Sequence, residues 1–246
     1  MDFYPITLGL ARAPLRAAGG SQRIQGGAGT TGSASDSGAA DGKVTPDVRQ
    51  KIFERDDYTC RCCGFQSKKY QEILPLDYNP DNIDDKNLLT ACIFCHQCFY
   101  LDKVSDMRSG VLIWLPEVEP ARLHHIARSI YVAQISQGPI AEAARKSLDI
   151  LMSRREEAKR RIQTDDPYIL SMVLQDYLSP AHYKQRTKKL EGLRLFPLNR
   201  RIIKEADLEF NQFPQILAYW RSKDGPFGGK TPPQWVSIYQ SIIQAA

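Results

Sequence analysis

The sequence predicts an α+β fold, with a short cysteine-held module in its first half and a mostly α-helical extension behind it. Three observations carry this. All 6 cysteines of the 246-residue chain fall between Cys60 and Cys98. Two short apolar runs bounded by turn residues, Phe3–Leu10 and Gly110–Leu115, read as strands. From Pro116 onward apolar residues recur at helical spacing, with proline opening most of the segments.

Taken in order, Phe3–Leu10 is expected at a sheet edge, because Pro5 has no N–H to donate. Met1–Leu15 lacks a basic start and is broken by Pro5 and Pro14, which argues against a secretory leader. Residues 19–43 hold paired glycines with Ser, Thr and Ala, almost nothing to bury, and read as a flexible linker. Thr45-Pro46-Asp47 then opens a helix, with Thr45 as cap, Pro46 in the first turn, and Val48, Ile52 and Phe53 on one face. Beyond the cysteines and the strand ended by Pro116, helices are expected over Pro120–Gln137, Ile140–Ile162, Pro167–Leu178, Pro180–Leu190 and Pro214–Arg221. Leu193–Pro197 is expected to be extended. A last helix is capped by Thr231 and presents Trp235, Ile238, Tyr239, Ile242 and Ile243 on one face. The expected domains are an N-terminal strand segment over 1–18, the linker over 19–43, a cysteine-held module over 44–103 and a mostly helical region over 104–246.

The zinc expectation comes from spacing. Cys60 and Cys63 form one C-x-x-C pair, and Cys92 and Cys95 form a second after a further 28 residues. Such a turn aims two sulfurs at one point, and two turns complete the tetrahedron that a structural Zn²⁺ takes. Disulfides would need an oxidising compartment and are typical of short, cysteine-dense chains, whereas these cysteines crowd one patch of a long one. The predicted ligands are therefore Cys60, Cys63, Cys92 and Cys95. Cys62 and Cys98 stay open as alternatives, since Cys92, Cys95 and Cys98 form an overlapping run. Cys95 is preferred because a pair at the start of a helix is the simpler geometry.

Composition sets mild bounds. The chain is 42% hydrophobic and 25% charged with a net charge of +5. That permits nucleic-acid contact without demanding it. No apolar run is long enough for a membrane-spanning helix. Thiols meant for zinc fit a reducing cytoplasm. A basic band runs through Arg154, Arg155, Lys159, Arg160, Arg161, Lys184, Arg186, Lys188, Lys189, Arg200, Arg201 and Lys204. It reads as a solvated helix face, with Glu156–Arg160 and Glu157–Arg161 at i,i+4.

Between the cysteine pairs lies Ile73-Leu74-Pro75-Leu76-Asp77-Tyr78-Asn79-Pro80-Asp81-Asn82, running on to Asn87-Leu88. With Arg55-Asp56-Asp57-Tyr58 before it and Cys92-x-x-Cys95-His96 after it, this resembles the HNH endonuclease module. The likeness covers about Val48 to Lys103, under a quarter of the chain. It implies an HNH-like ββα zinc module with a mostly α-helical C-terminal extension. His96 and Asn87 match family positions. The family's two adjacent histidines, one a metal ligand and one the general base, fall on Leu74 and Pro75. Neither can ligate a cation or accept a proton, so the resemblance implies a degenerate, non-enzymatic module. The nearby acids Glu72, Asp77, Asp81, Asp84 and Asp85 read as loop solubilisers and turn formers. His124-His125 reads as an ordinary surface or packing pair.

An HNH scaffold without its histidines, followed by a long helical extension, resembles the DotN (IcmJ) family of the Dot/Icm type IVB secretion apparatus. The Tyr4-Pro5 start and the Pro-x-x-Trp235-x-x-x-Tyr239 end share in that likeness. It implies a cytoplasmic adaptor recruited to an inner-membrane coupling complex. Its partners would be the C-terminal tail of a DotL-like coupling ATPase and other adaptor subunits. An HNH-type endonuclease with an unusual site and a non-catalytic nucleic-acid binder are the competing readings.

Overall fold

A computed structural model describes residues 3–10, 44–79 and 81–245, with the side chains of Tyr177 and Ala245 set aside. The linker expected over 19–43 and Pro80 lie outside the described residues. The architecture is α+β, built of helices around three two-stranded antiparallel sheets among the described residues.

Helix α1 (Pro46–Arg55) starts as its sequence dictates. The Thr45 side chain accepts from the Val48 amide, and Pro46 occupies the first turn. Left-handed backbone at Asp57 and Tyr58 turns the chain into the first cysteine knuckle. Strand β1 (Gln71–Pro75) pairs with β2 (Leu88–Cys92), setting Leu74 opposite Leu89 and Pro75 opposite Leu88. Both strands are buried along their whole length. Helix α2 (Ile93–His96) follows without a break, with Cys92 as its N-cap residue. Helix α3 (Leu101–Asp106) leads to β3 (Gly110–Trp114), which pairs with β4 (Leu193–Pro197).

Between β3 and β4 runs the helical excursion. Helix α4 (Pro120–Gln134) packs on α5 (Pro139–Ser153). The helix expected over Ile140–Ile162 is two, α5 and α6 (Arg155–Ile162). The break falls at Arg154, whose carbonyl accepts from the Trp114 amide of β3 as well as from Ala158. Helix α7 (Pro167–Met172) relaxes into a π turn over Val173–Tyr177. The helix expected over Pro180–Leu190 divides into α8 (Pro180–Lys184) and α9 (Arg186–Lys189). A hairpin of β5 (Ile202–Glu205) and β6 (Leu208–Asn211), absent from the sequence expectations, precedes α10 (Phe213–Arg221) and α11 (Pro232–Ala245).

The strand expected over Phe3–Leu10 is not one. The segment is extended, but it bonds to the first knuckle, to the short 3-10 turn over Gln97–Phe99 and to the start of α3 rather than to a sheet. The Tyr4 amide donates to Arg61, the Gly9 amide donates to Cys98, and the Gly9 carbonyl accepts from Leu101. Arg186 closes it from the far side by donating to the Leu8 carbonyl at 3.0 Å.

Cysteines, Phe65 and Phe94 from the front of the chain share one continuous buried cluster with Leu123, Ala127 and Tyr131 of α4, with β3 and β4, and with Phe213, Ile216 and Trp220 of α10. A smaller cluster of Val44, Ile52, Ile73 and Leu88 seats α1 on the hairpin. At 25 cal/mol per Å², burying one such Leu, Ile or Phe contributes roughly 1.5–3 kcal/mol.

Candidate metal centre

The first knuckle is a tight loop closed by the Thr59–Gln66 bridge. Within it the Cys60 amide donates to Phe65 and the Gly64 amide donates to Cys60. Gly64 sits at φ +75, where a side chain would be strained. The second knuckle is the β2–α2 junction itself. Pairing of the Arg61 amide with the Thr90 carbonyl, 2.8 Å, holds the two knuckles face to face.

The result is a group of four sulfurs, those of Cys60, Cys63, Cys92 and Cys95, all within 4.8 Å of one another and all buried. The Cys63 and Cys92 sulfurs are 3.7 Å apart. A Zn–S₄ tetrahedron with bonds of about 2.3 Å has sulfur–sulfur edges of about 3.8 Å. The donor set therefore fits a divalent, thiophilic ion in a closed, four-coordinate shell.

Electrostatics bear on the same point. Burial would raise the Cys92 thiol, but its bond with Cys60 and the Arg128 charge hold it low. Cys63 is raised by its bond with Cys60 and lowered more by those with Cys92 and Cys95, coming down to about 5. Thiolates are the metal-binding form. Burial, then the neighbouring sulfurs, push Cys95 well up, Cys62 is pushed up by its contact with Cys60, and Cys98 is pushed up by burial, so it is the position of the sulfurs and not their proton affinity that marks the set of four. Cys62 and Cys98 are buried thiols beside the cluster, outside that set.

Helix α4 forms the wall of the centre, which the sequence expectation of ordinary histidines missed. The ring of His124, 1% exposed, stands with Nδ1 3.2 Å from the Cys95 sulfur and Nε2 3.9 Å from Cys98. Burial, then Arg128, push that imidazole down. Its neighbour His125 leaves the helix on another side, with Nε2 2.8 Å from the Cys63 carbonyl. One turn on, Arg128 donates to the Cys92 sulfur at 2.6 Å and points toward Cys63 at 3.9 Å. Arg128 was not singled out from the sequence. The available signal was a cation set in the apolar stripe Leu123–Ala127–Tyr131 of α4.

The positions where the HNH likeness would put chemistry are occupied otherwise. Leu74 and Pro75 are buried in the hairpin. Asn87 is spent on the loop, donating to Asp77 at 3.0 Å and to the Asn82 carbonyl at 2.8 Å. His96 stacks on Tyr100 at 4.3 Å. Burial, then Arg201 and Arg49, press its imidazole down to about 3. Among the acids, Asp77 and Asp84 accept from the amides of Asn79 and Lys86, as turn formers do. Glu72 differs: it is buried between Arg49 and Arg201.

The basic band does not form one positive face. Arg154 pairs with Glu117, Arg155 with Asp165, Lys159 with Glu156, and Arg160 and Arg161 both with Glu157. Glu156 thus takes Lys159 rather than the expected Arg160. Arg186 and Arg201 are buried. Among the described residues no helix is long and apolar enough to cross a membrane.

No family model matches the chain. A relative from Legionella pneumophila subsp. pneumophila (strain Philadelphia 1), described as the type 4 apparatus protein DotN, is 34% identical over 163 residues. The match covers 64% of this chain and 75% of that protein.

Proposed function

The chain belongs to the DotN family, and on that premise we propose that it is a non-catalytic, zinc-stabilised adaptor of a type IVB secretion coupling complex. Residues 44–103 serve as a degenerate HNH-like ββα module whose Cys60, Cys63, Cys92 and Cys95 hold a structural Zn²⁺. Residues 104–246 bind the C-terminal tail of a DotL-like coupling ATPase, beside other adaptor subunits, at the cytoplasmic face of the inner membrane.

The observation that carries the non-catalytic part is the place of Leu74 and Pro75. A hydrolytic centre needs a metal with an open position and a group that activates water. Leu74 is 3% exposed and registered against Leu89, so no base stands there. The order β1, β2, α2, with cysteines at the second junction, supports the ββα reading. A shell of four sulfurs leaves an ion no open position. For the adaptor part, the support is an uncharged helix, α11, that exposes Val236, Ile238, Tyr239, Ile242 and Ile243. Apolar helix faces of this kind recognise helices or tails of partners.

The test has two arms. Purified protein is titrated with a synthetic tail peptide of a DotL-like ATPase, and saturable one-to-one binding is expected; no binding overturns the adaptor reading. The same protein is incubated with plasmid and Mg²⁺, Mn²⁺ or Ni²⁺. The DNA should stay intact, and cutting that His96→Ala abolishes would establish the nuclease instead.

A further inference from the structure

Arg128 is 1% exposed, yet among the described residues no carboxylate pairs with it. Its Nε and Nη1 atoms have no hydrogen-bond partner. Its surroundings are rings: the guanidinium carbon lies 4.0 Å from the Phe65 ring centre, 4.9 Å from that of Phe94 and 5.9 Å from that of Trp220. Those rings close on each other edge to face, Trp220 standing 5.7 Å from Phe65 and 5.6 Å from Phe94. Cation–π contact offsets only part of the cost of burying a charge without an opposite partner. Arg128 also faces the sulfurs of Cys92 and Cys63, and all four sulfurs of the set favour its charge.

Four thiolates around one divalent cation leave a net charge of about −2. That dianion is itself buried and equally in need of an opposite charge. We propose that Arg128 is the counter-charge of the loaded metal centre, so that loading the ion and seating helices α4 and α10 on the cysteine knuckles are one event. The proposal rests on the metal reading above. Without the ion nothing gathers the four sulfurs to one point beside Arg128, and the cation is left among the rings with its counter-charge dispersed. Relief then comes from lifting α4, which carries Arg128, and α10, which carries Trp220, off Phe65 and Phe94. Zinc occupancy thereby reaches the half of the chain that carries the apolar α11.

The test uses the full chain with Arg128→Met, which removes the charge and keeps an apolar stem, and Arg128→Lys, which keeps the charge without the planar fork. Zinc affinity is read by competition with a chromophoric chelator, and stability is read by denaturant unfolding with and without zinc. Arg128→Met should bind zinc about 10- to 100-fold more weakly, and Arg128→Lys should recover most of the loss. The zinc-free Arg128→Met protein should be at least as stable as zinc-free wild type, and with zinc the order should reverse. A packing role gives the opposite pattern: Lys fails, Met is tolerated, and no reversal occurs. That result overturns the proposal. In wild type, stripping zinc should speed amide exchange over Pro120–Gln134 and Phe213–Arg221; unchanged exchange there overturns the coupling. A wild-type protein without stoichiometric zinc sinks the metal reading itself, whereas zinc-bound wild type with an unaffected Arg128→Met sinks only this inference.

Discussion

The Arg201 guanidinium donates to the Glu72 carboxylate at 2.7 Å with both side chains buried, joining β1 to the loop before β5. Arg201 also reaches Gln212 at the start of α10, and Arg49 of α1 approaches Glu72 from the other side at 3.4 Å. The pair thus staples the hairpin at the back of the chain to the metal-bearing hairpin at the front. Removing one partner leaves a buried charge unmatched. Glu72→Gln should therefore lower stability by about 3–5 kcal/mol. Replacing both groups by methionine should cost much less, since well-packed apolar substitutes spare the desolvation of two ions. Denaturant midpoints of the two proteins decide this, and equal losses would rule out the buried-charge explanation.

Asp56 offers a pH-dependent counterpart. It is 3% exposed, pairs with Arg55 at 3.0 Å, and accepts from the Thr90 amide at 2.9 Å, which fixes α1 against β2. Burial alone would raise its carboxyl, but the Arg55 and Thr90 contacts outweigh burial and hold it below its ordinary value of 3.8. A lowered carboxylate stabilises the fold above its unfolded value and loses that contribution as pH falls toward the folded one. Asp56→Asn should be less stable than wild type at neutral pH by about 1.5–3 kcal/mol, as expected for hydrogen bonds to a charged group. That gap should hold down to about the ordinary carboxylate value and shrink below it. A gap independent of pH across that range would assign the effect to shape rather than charge.

How much of this was legible in the sequence depended on how local the signal was. The C-x-x-C spacing placed four sulfurs together because each turn is built within four residues. Helix starts were marked by proline at Pro46, Pro120, Pro167, Pro180 and Pro232, where the missing N–H costs nothing. The β5–β6 hairpin went unread because its turn carries Ala206 at φ +51 rather than an Asn-Gly signature. The break at Arg154 and the burial of Arg128 and Arg201 arise from contacts distant in sequence, with Trp114, Cys92 and Glu72 respectively. Periodicity within one helix holds no record of them. Phe3–Leu10 had a strand's composition, but what it meets is the knuckle turn at Arg61 and the 3-10 turn at Cys98, not a strand edge.

The six cysteines should divide into two classes. Cys60→Ser and Cys95→Ser are expected to lose zinc and unfold the surrounding module, since structural zinc supplies on the order of 10 kcal/mol of folding energy in small fingers. Cys62→Ser and Cys98→Ser are expected to keep full metal content. Acidification should release the ion from wild type as protons compete for the sulfurs. Elemental analysis of the four proteins is the measurement. Metal lost from Cys62→Ser but kept in Cys60→Ser would mean that the wrong member of the first knuckle was assigned.

Gly225 tests whether the turn between α10 and α11 sets the direction of the last helix. A Cβ at this position would fall 2.0 Å from the Tyr219 carbonyl oxygen and 2.8 Å from that of Trp220. Both are backbone atoms of α10 and cannot swing aside as a side chain would. The turn is otherwise held by the Phe227 amide on the Trp220 carbonyl. Phe227 in turn stacks on Trp235 of α11 at 5.1 Å. Gly225→Ala must therefore displace the turn, and with it the seat of α11, at a cost of roughly 1–3 kcal/mol for forced overpacking. Gly228→Ala is the control, because its Cβ meets nothing within 4 Å and bears only the strain of φ +57, which glycine relieves. The expected outcome is that Gly225→Ala keeps its zinc, is cleaved faster by protease between Ser222 and Thr231, and binds the tail peptide more weakly, while Gly228→Ala changes little. Equal protease resistance and equal peptide affinity in Gly225→Ala and wild type would show that the partner does not depend on where this turn points α11.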